Sequence, residues 1–159
     1  MSTQSISNVA ASQQISRASS PAAAGAVSGA ISLAGRFFFS LIFLMAGPMH
    51  FNPAEINYAA SAGVPFAKFL VPASGLLAFF GALSILLGYR AKVGAWMIAL
   101  FLLAVTPAMH NFWSVQDAAT QQMQMAMFMK NVSMFGGALL ISQLGAGAWS
   151  LDARRARNS

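Results

Sequence analysis

The sequence predicts an all-α integral membrane protein, a four-helix bundle with both termini cytoplasmic. Four apolar stretches of about 17–23 residues dominate the chain, and a helix of that length crosses a hydrocarbon core roughly 30 Å thick. Of the 159 residues, 57% are hydrophobic and 8% charged, whereas an ordinary soluble domain is about 25% charged. The stretches are residues 27–49, 66–87, 93–109 and 125–144.

The apolar stretches are predicted to be helices rather than barrel strands. Hydrocarbon offers backbone groups no water, so a span must be a helix or part of a closed barrel. Barrel strands alternate apolar and polar residues. Here the apolar residues run consecutively, as at residues 37–39 and 98–105, which favours helices.

The chain divides into three predicted segments. Residues 1–25 are rich in Ser, Ala and Gln and carry one charge, Arg17, so they are expected to form a disordered tail. The spans make up a transmembrane domain at 26–152, and residues 153–159 form a basic tail. Proline and glycine separate the spans. The predicted connections are an interfacial loop around 48–65, a basic turn at 89–92 and a polar loop at 111–122.

The positive charges predict the orientation. With four spans, both termini and the middle loop lie on one side of the membrane. That side collects Arg17, Arg90, Lys92, Arg154, Arg155 and Arg157, and the other side has only Lys68 close to a helix end. Basic residues accumulate on the cytoplasmic side, so both termini are predicted to be cytoplasmic.

Composition argues against several function classes. The net charge of +6 is spread over membrane edges, which is not the clustered patch of a nucleic-acid binder. The absence of cysteine excludes disulfides, thiol redox chemistry and Cys-ligated metals. Glu55, Asp117 and Asp152 fall in loops or at helix ends, so no embedded acid serves a proton relay.

A polar cluster is predicted at the outer end of the bundle. His50 and His110 end helices one and three on the same face, and Lys130 and Asn131 lie one or two turns into helix four. Trp113 lies in the neighbouring loop. An ionisable group within a span is a functional hypothesis by default, and Lys130 and His110 could donate to the carbonyls of a quinone, the candidate cofactor. The alternative is that the Lys130 side chain extends to the headgroups and the histidines lie at the membrane interface without a binding role.

Two further patterns have competing interpretations. The methionine-rich run at 123–129 suits Cu(I) in ligand type, but residues i and i+2 of a helix point apart, and methionine is an ordinary core filler; no metal site is assigned. Arg36 in helix one either snorkels to the inner headgroups or pairs with Asp152 on the same side.

A series of short segments, in order, carries a family resemblance: 35–36, 43–47, 63–65, 81–90, 110–113, 122–124, 128–131 and 145–152. Together they resemble the DoxX family of small four-helix bacterial membrane proteins, which implies a location in a bacterial inner membrane. The resemblance covers roughly residues 33–152, and His50, Ala78 and Phe79 replace basic and acidic residues often found in that family.

This resemblance implies a quinone-interacting subunit of a membrane redox or oxidative-stress complex, since relatives include a subunit of a thiosulfate:quinone oxidoreductase. On this hypothesis the chain is at most a non-autonomous oxidoreductase subunit, whose partners are the lipid bilayer and other membrane or redox subunits. Two alternatives are a non-catalytic assembly partner and a small-solute or copper-handling protein.

Overall fold

The computed structural model describes residues 21–158, with side chains from residue 24 onward. Within that range the regular structure is helical, and four helices are long and apolar enough to cross a membrane. The predicted all-α, four-span architecture is confirmed. The helices are α1 (Pro21–Met49), α2 (Pro53–Ser61), α3 (Ala67–Leu87), α4 (Ala91–Met109), α5 (Ala118–Leu144) and α6 (Leu151–Asn158), with one 3-10 turn at Phe112–Ser114.

Two spans begin earlier than predicted. Helix α1 starts at Pro21, so residues 21–25, assigned to the disordered tail, are helical; the rest of that tail lies outside the described residues. Helix α5 starts at Ala118 rather than near Met125, because the Asp117 side chain accepts a hydrogen bond from the Thr120 backbone N–H. Such a cap satisfies one of the free N–H groups of a first helical turn.

The predicted interfacial loop contains a helix. Asn52 caps α2, with its Oδ1 accepting a hydrogen bond from the Ala54 N–H at 2.9 Å. Pro53 occupies the first helical position, where its missing N–H costs nothing, and Glu55 in the first turn complements the helix dipole. The basic tail is likewise helical, as α6.

The four spans pack through small residues. Helix α3 contacts both α1 and α4, and α4 contacts α5. The backbones approach closely where α3 crosses α4, because a Cβ built on Gly94 would lie 2.6 Å from the Gly81 carbonyl oxygen. Small residues drive such packing in lipid, where the hydrophobic effect between helices is absent. The buried core is Phe43, Ala78, Ala82, Ile85, Ala95, Ile98, Ala99, Phe101, Leu102 and Ala138.

The segment after α5 returns to the beginning of α1. The Ser32 hydroxyl donates to the Ala146 carbonyl at 2.8 Å, and the Asp152 N–H donates to the Gly88 carbonyl at 2.8 Å. The described start and end of the chain therefore lie at the same end of the bundle, as an even number of spans requires. That this end is cytoplasmic stays a prediction.

Candidate functional site

A cavity of about 620 Å³ lies at the end of the bundle where α1 stops. Helices α3 and α4 form its apolar walls, and α2 contributes a more polar side. Both histidines of the sequence line it. The lining comprises His50, Glu55, Tyr58, Ala59, Val64, Leu70, Val71, Ala73, Ser74, Leu77, Ala104, Val105, Ala108, Met109 and His110.

His50 is held by its own helix and by α3. Its Nδ1 lies 2.9 Å from the Ala46 carbonyl oxygen one turn earlier, and its ring meets Phe101 edge-on at 5.7 Å between centroids. Gly75 of α3 makes room for it, since a Cβ there would lie 2.5 Å from the His50 Cβ. Position and orientation of this imidazole are therefore both constrained.

His110 is held between two spans. Its backbone N–H donates to the Thr106 carbonyl at the end of α4, and its Nδ1 lies 2.8 Å from Oε1 of Gln124 on α5. This side-chain bond ties the end of α4 to the first half of α5. The two helices are thereby joined beside the cavity.

The hydrogen-bond partners decide which ring nitrogen carries the proton. The Ala46 carbonyl oxygen only accepts, so Nδ1 of His50 is the donor, and Nε2 of a neutral ring is an acceptor. His110 is assigned the same tautomer, because the side-chain amide of Gln124 presents its Oε1 to Nδ1. The sequence had suggested that His110 donates to a quinone carbonyl. That role stays a prediction, and with Nδ1 directed at Gln124 Oε1 it would need a proton on Nε2.

Sequence reasoning missed three other polar residues of the cavity. Glu55 and Tyr58 fall in the predicted interfacial loop, and Ser74 lies within the second apolar stretch, where no site residue was predicted. The signal that could have found the first two was Asn52 followed by Pro53, a helix start that turns one face of α2 toward the cavity. The Ser74 hydroxyl donates to the Val71 carbonyl at 2.8 Å.

Two predicted site residues lie away from the cavity. Lys130 is exposed on α5, with its Nζ 3.4 Å from the Met127 sulfur. The Trp113 ring packs against Phe112 and Phe128, at 5.3 and 5.8 Å between centroids. Neither side chain lines the cavity, because α5 stands beside α4, whereas α2 and α3 complete the cavity wall.

Asn131 is the third predicted residue outside the cavity. It is buried on α5, with 6% of its surface exposed. Its side chain makes no hydrogen bond within residues 24–158. Asn131 therefore lies in the interior of the bundle, outside the cavity lining.

Arg36 and Asp152, for which an ion pair was one of two predicted options, each bond to backbone groups. The buried Arg36 guanidinium donates through Nη1 to the Leu86 carbonyl at 3.0 Å and through Nη2 to the Trp149 carbonyl. The Asp152 carboxylate accepts from the N–H groups of Arg90 and Ala91 at 2.8 and 3.0 Å. Both hold the C-terminal segment on the α3–α4 turn, at the end opposite the cavity.

Comparison with known proteins identifies relatives in bacteria and yeast. The chain is 31% identical to the inner membrane protein YqjF of Escherichia coli over 122 residues, covering 76% of this chain and 88% of YqjF. It is 30% identical to the inner membrane protein YphA of the same organism over 133 residues, covering 82% of this chain and 94% of YphA. These matches and the four spans make it a multi-pass protein of the bacterial inner membrane.

A more distant match is the ER-derived vesicles protein ERV29 of Saccharomyces cerevisiae. It is 28% identical over 80 residues, which cover 50% of this chain and 26% of ERV29. No solved structure matches the chain.

The resemblance to the DoxX family was wrong. Its segments combine glycine-bounded spans with basic turns, and such features are common in small membrane bundles because lipid favours them. The sequence profile of the SURF4 family matches residues 7–157, nearly the whole length. The chain therefore belongs to the SURF4 family.

Proposed function

We propose that this integral membrane protein binds a small amphiphilic molecule in the cavity lined by His50 and His110. The observation that carries the proposal is the cavity itself. Its volume of about 620 Å³ falls within the roughly 300–1,000 Å³ common for ligand sites. Apolar walls with a few convergent polar groups are also the usual composition of such sites.

The distribution of polar groups favours an amphiphile. Helices α3 and α4 supply mainly aliphatic side chains, whereas Glu55 and Tyr58 of α2 and the two histidines supply polar atoms. A ligand with an apolar body and a polar head would satisfy both surfaces. A fully polar solute would leave the aliphatic walls without a partner.

The cavity is open to the outside of the bundle. Leu70 and Tyr58 line it and are 48% and 51% exposed. On this proposal a ligand dissolved in the membrane enters through this opening.

A quinone is one molecule of this shape, and binding it would place the chain in a redox or stress-related complex. The chain has no cysteine, so in that case another subunit would carry the electrons. The names of the three relatives mention no ligand. Support for the proposal therefore comes from the cavity alone.

Filling the cavity tests the proposal. In Ala104→Phe the added ring would occupy space between α3 and α4. We expect it to weaken binding of a decyl-substituted quinone or of 1-decanol at least tenfold, measured by calorimetry on purified protein in detergent. The matched control is Leu140→Phe, at an exposed position of α5, which should bind normally. Equal affinity in the two variants, both folded, would contradict the proposal.

A further inference from the structure

We infer that the ligand head donates hydrogen bonds, through a hydroxyl or an ammonium group, rather than only accepting them. This inference rests on the proposed function and specifies its ligand. It follows from the hydrogen-bonding capacity that the cavity-lining side chains have left once their contacts within the protein are made.

Both histidines have only an acceptor left. The Nδ1–H of His50 is used by the Ala46 carbonyl and that of His110 by Gln124 Oε1. Each neutral ring then offers Nε2 with its lone pair. Both imidazoles of the cavity lining can therefore accept a hydrogen bond that a ligand donates.

The free ring nitrogens are accessible. The fully buried side-chain N and O atoms that lack a partner within residues 24–158 are Arg36 Nε and Ser40 Oγ. Nε2 of His50 and of His110 also lacks a hydrogen-bond partner there, yet neither atom belongs to that buried set. Each therefore keeps accessible surface that a ligand can contact.

The other polar side chains of the cavity also have mainly hydrogen-bond acceptors available. The Ser74 hydroxyl hydrogen is used by the Val71 carbonyl, so its oxygen is left to accept. An ionised Glu55 carboxylate only accepts and makes no hydrogen bond or ion pair within the described residues. The Tyr58 hydroxyl alone among these lining side chains retains a donor. Acceptors thus outnumber donors in the cavity.

This imbalance discriminates between otherwise similar ligands. A head that carries only carbonyl or ether oxygens would place an acceptor opposite the acceptors of the cavity, and a polar group that loses water without gaining a hydrogen-bond partner weakens binding. A hydroxyl or ammonium head satisfies the same atoms. The reduced and oxidised forms of one quinone differ in this respect, because the quinol has two O–H donors and the quinone none.

The test compares the two redox forms of one decyl-substituted quinone, under anaerobic conditions with purified protein in detergent at about pH 8. We expect the quinol to bind at least tenfold more tightly. In the same assay, 1-decanol and decylamine should each bind more tightly than decyl methyl ether. The tighter binder of 1-decanol and decylamine identifies the preferred donor head, and if that head is the ammonium, Glu55→Gln should weaken decylamine binding selectively.

Variants locate the acceptors. His50→Phe keeps a ring beside Phe101 but removes the acceptor, and His110→Phe does the same at the second position. Each should reduce the preference for the quinol about fivefold, while the exposed Lys130→Ala should leave it unchanged. Wild-type protein that binds quinol and quinone equally overturns this inference and leaves the cavity proposal intact. Protein that binds none of the probes overturns the proposed function itself.

Discussion

At the scale of single residues, Gly88 shows how closely three segments meet. It has φ +64° in the turn between α3 and α4, a conformation that favours glycine. A Cβ there would collide with Arg36 Nη1 and would lie 2.5 Å from the Ser150 Cβ. The buried guanidinium and the C-terminal segment therefore fit together only without a side chain at this position.

We expect Gly88→Ala to lower the free energy of unfolding by about 1–3 kcal/mol, because backbone strain and a steric clash add. The measurement is thermal or denaturant unfolding in detergent. Gly136→Ala is the control, since Gly136 is an exposed position within α5 with no atom within 4 Å of a built Cβ. Alanine there should be neutral or stabilising by up to about 1 kcal/mol. Equal effects of the two substitutions would contradict this description of the turn.

Residue identity predicted the two histidines of the cavity but not their hydrogen-bonding state. His50 and His110 are the only histidines in the chain, and the span count put both at one end. Which ring nitrogen is protonated depends on Ala46 and Gln124, and the second of these contacts exists only once α5 packs on α4. Lys130 looked like a site residue because charge in a span is rare, yet it lies on an exposed face.

At the scale of secondary-structure elements, helix caps explain the helical segments that the apolar pattern did not predict. The pattern identified the four spans, because their hydropathy exceeds that of the connections. It overlooked α2, whose composition is mixed and whose start depends on Asn52 and Pro53. It also shortened α5, whose first turns contain Gln and Thr and are stabilised by Asp117.

The Asp117 cap at the start of α5 is expected to make the stability of the protein depend on pH. The Asp117 carboxylate accepts hydrogen bonds from the Thr120 hydroxyl and backbone N–H, and these bonds lower the pKa of Asp117 below its ordinary value. A carboxylate whose pKa is lower in the folded than in the unfolded protein stabilises the fold. This stabilisation is fully present above the unfolded-state pKa of about 3.9 and is lost as the pH falls through the folded-state pKa.

We therefore expect Asp117→Ala to melt below the wild type at neutral pH, with a difference that shrinks once the pH falls below about 4. Asn is also a good capping residue, so Asp117→Asn should retain much of the stability at neutral pH. Melting temperatures measured across this range in one detergent provide the test. A difference between wild type and Asp117→Ala that stays constant down to pH 2 would count against the cap.

At the scale of the whole molecule, the sequence predicted the architecture better than the ancestry or the cavity. Helix number follows from local hydropathy, which is why it could be anticipated. The cavity depends on how α2 lies across α3 and on the spacing of α3 and α4, which no local pattern encodes. The family was misjudged for a related reason, because the features used to assign it are ones that lipid favours in any small helical bundle.

The orientation of the bundle can be tested by reporter fusions. We expect reporters at both termini to report the cytoplasm, because the described ends of the chain meet at one end of the bundle and that end carries Arg90, Lys92 and the arginines of α6. A reporter inserted at Val115, between α4 and α5, should report the opposite side. Termini in different compartments would contradict the four-span architecture.

The most direct test of the central claim, that the cavity holds an amphiphile, is photolabelling in lipid nanodiscs with a diazirine derivative of 1-decanol. Peptide mapping should find the label on the cavity faces of α3 and α4, between Leu70 and Leu77 and between Ala104 and His110. Ala104→Phe should abolish that labelling. Label confined to outward-facing residues such as Leu103 and Leu140, and unchanged in Ala104→Phe, would show that the cavity takes up no such molecule.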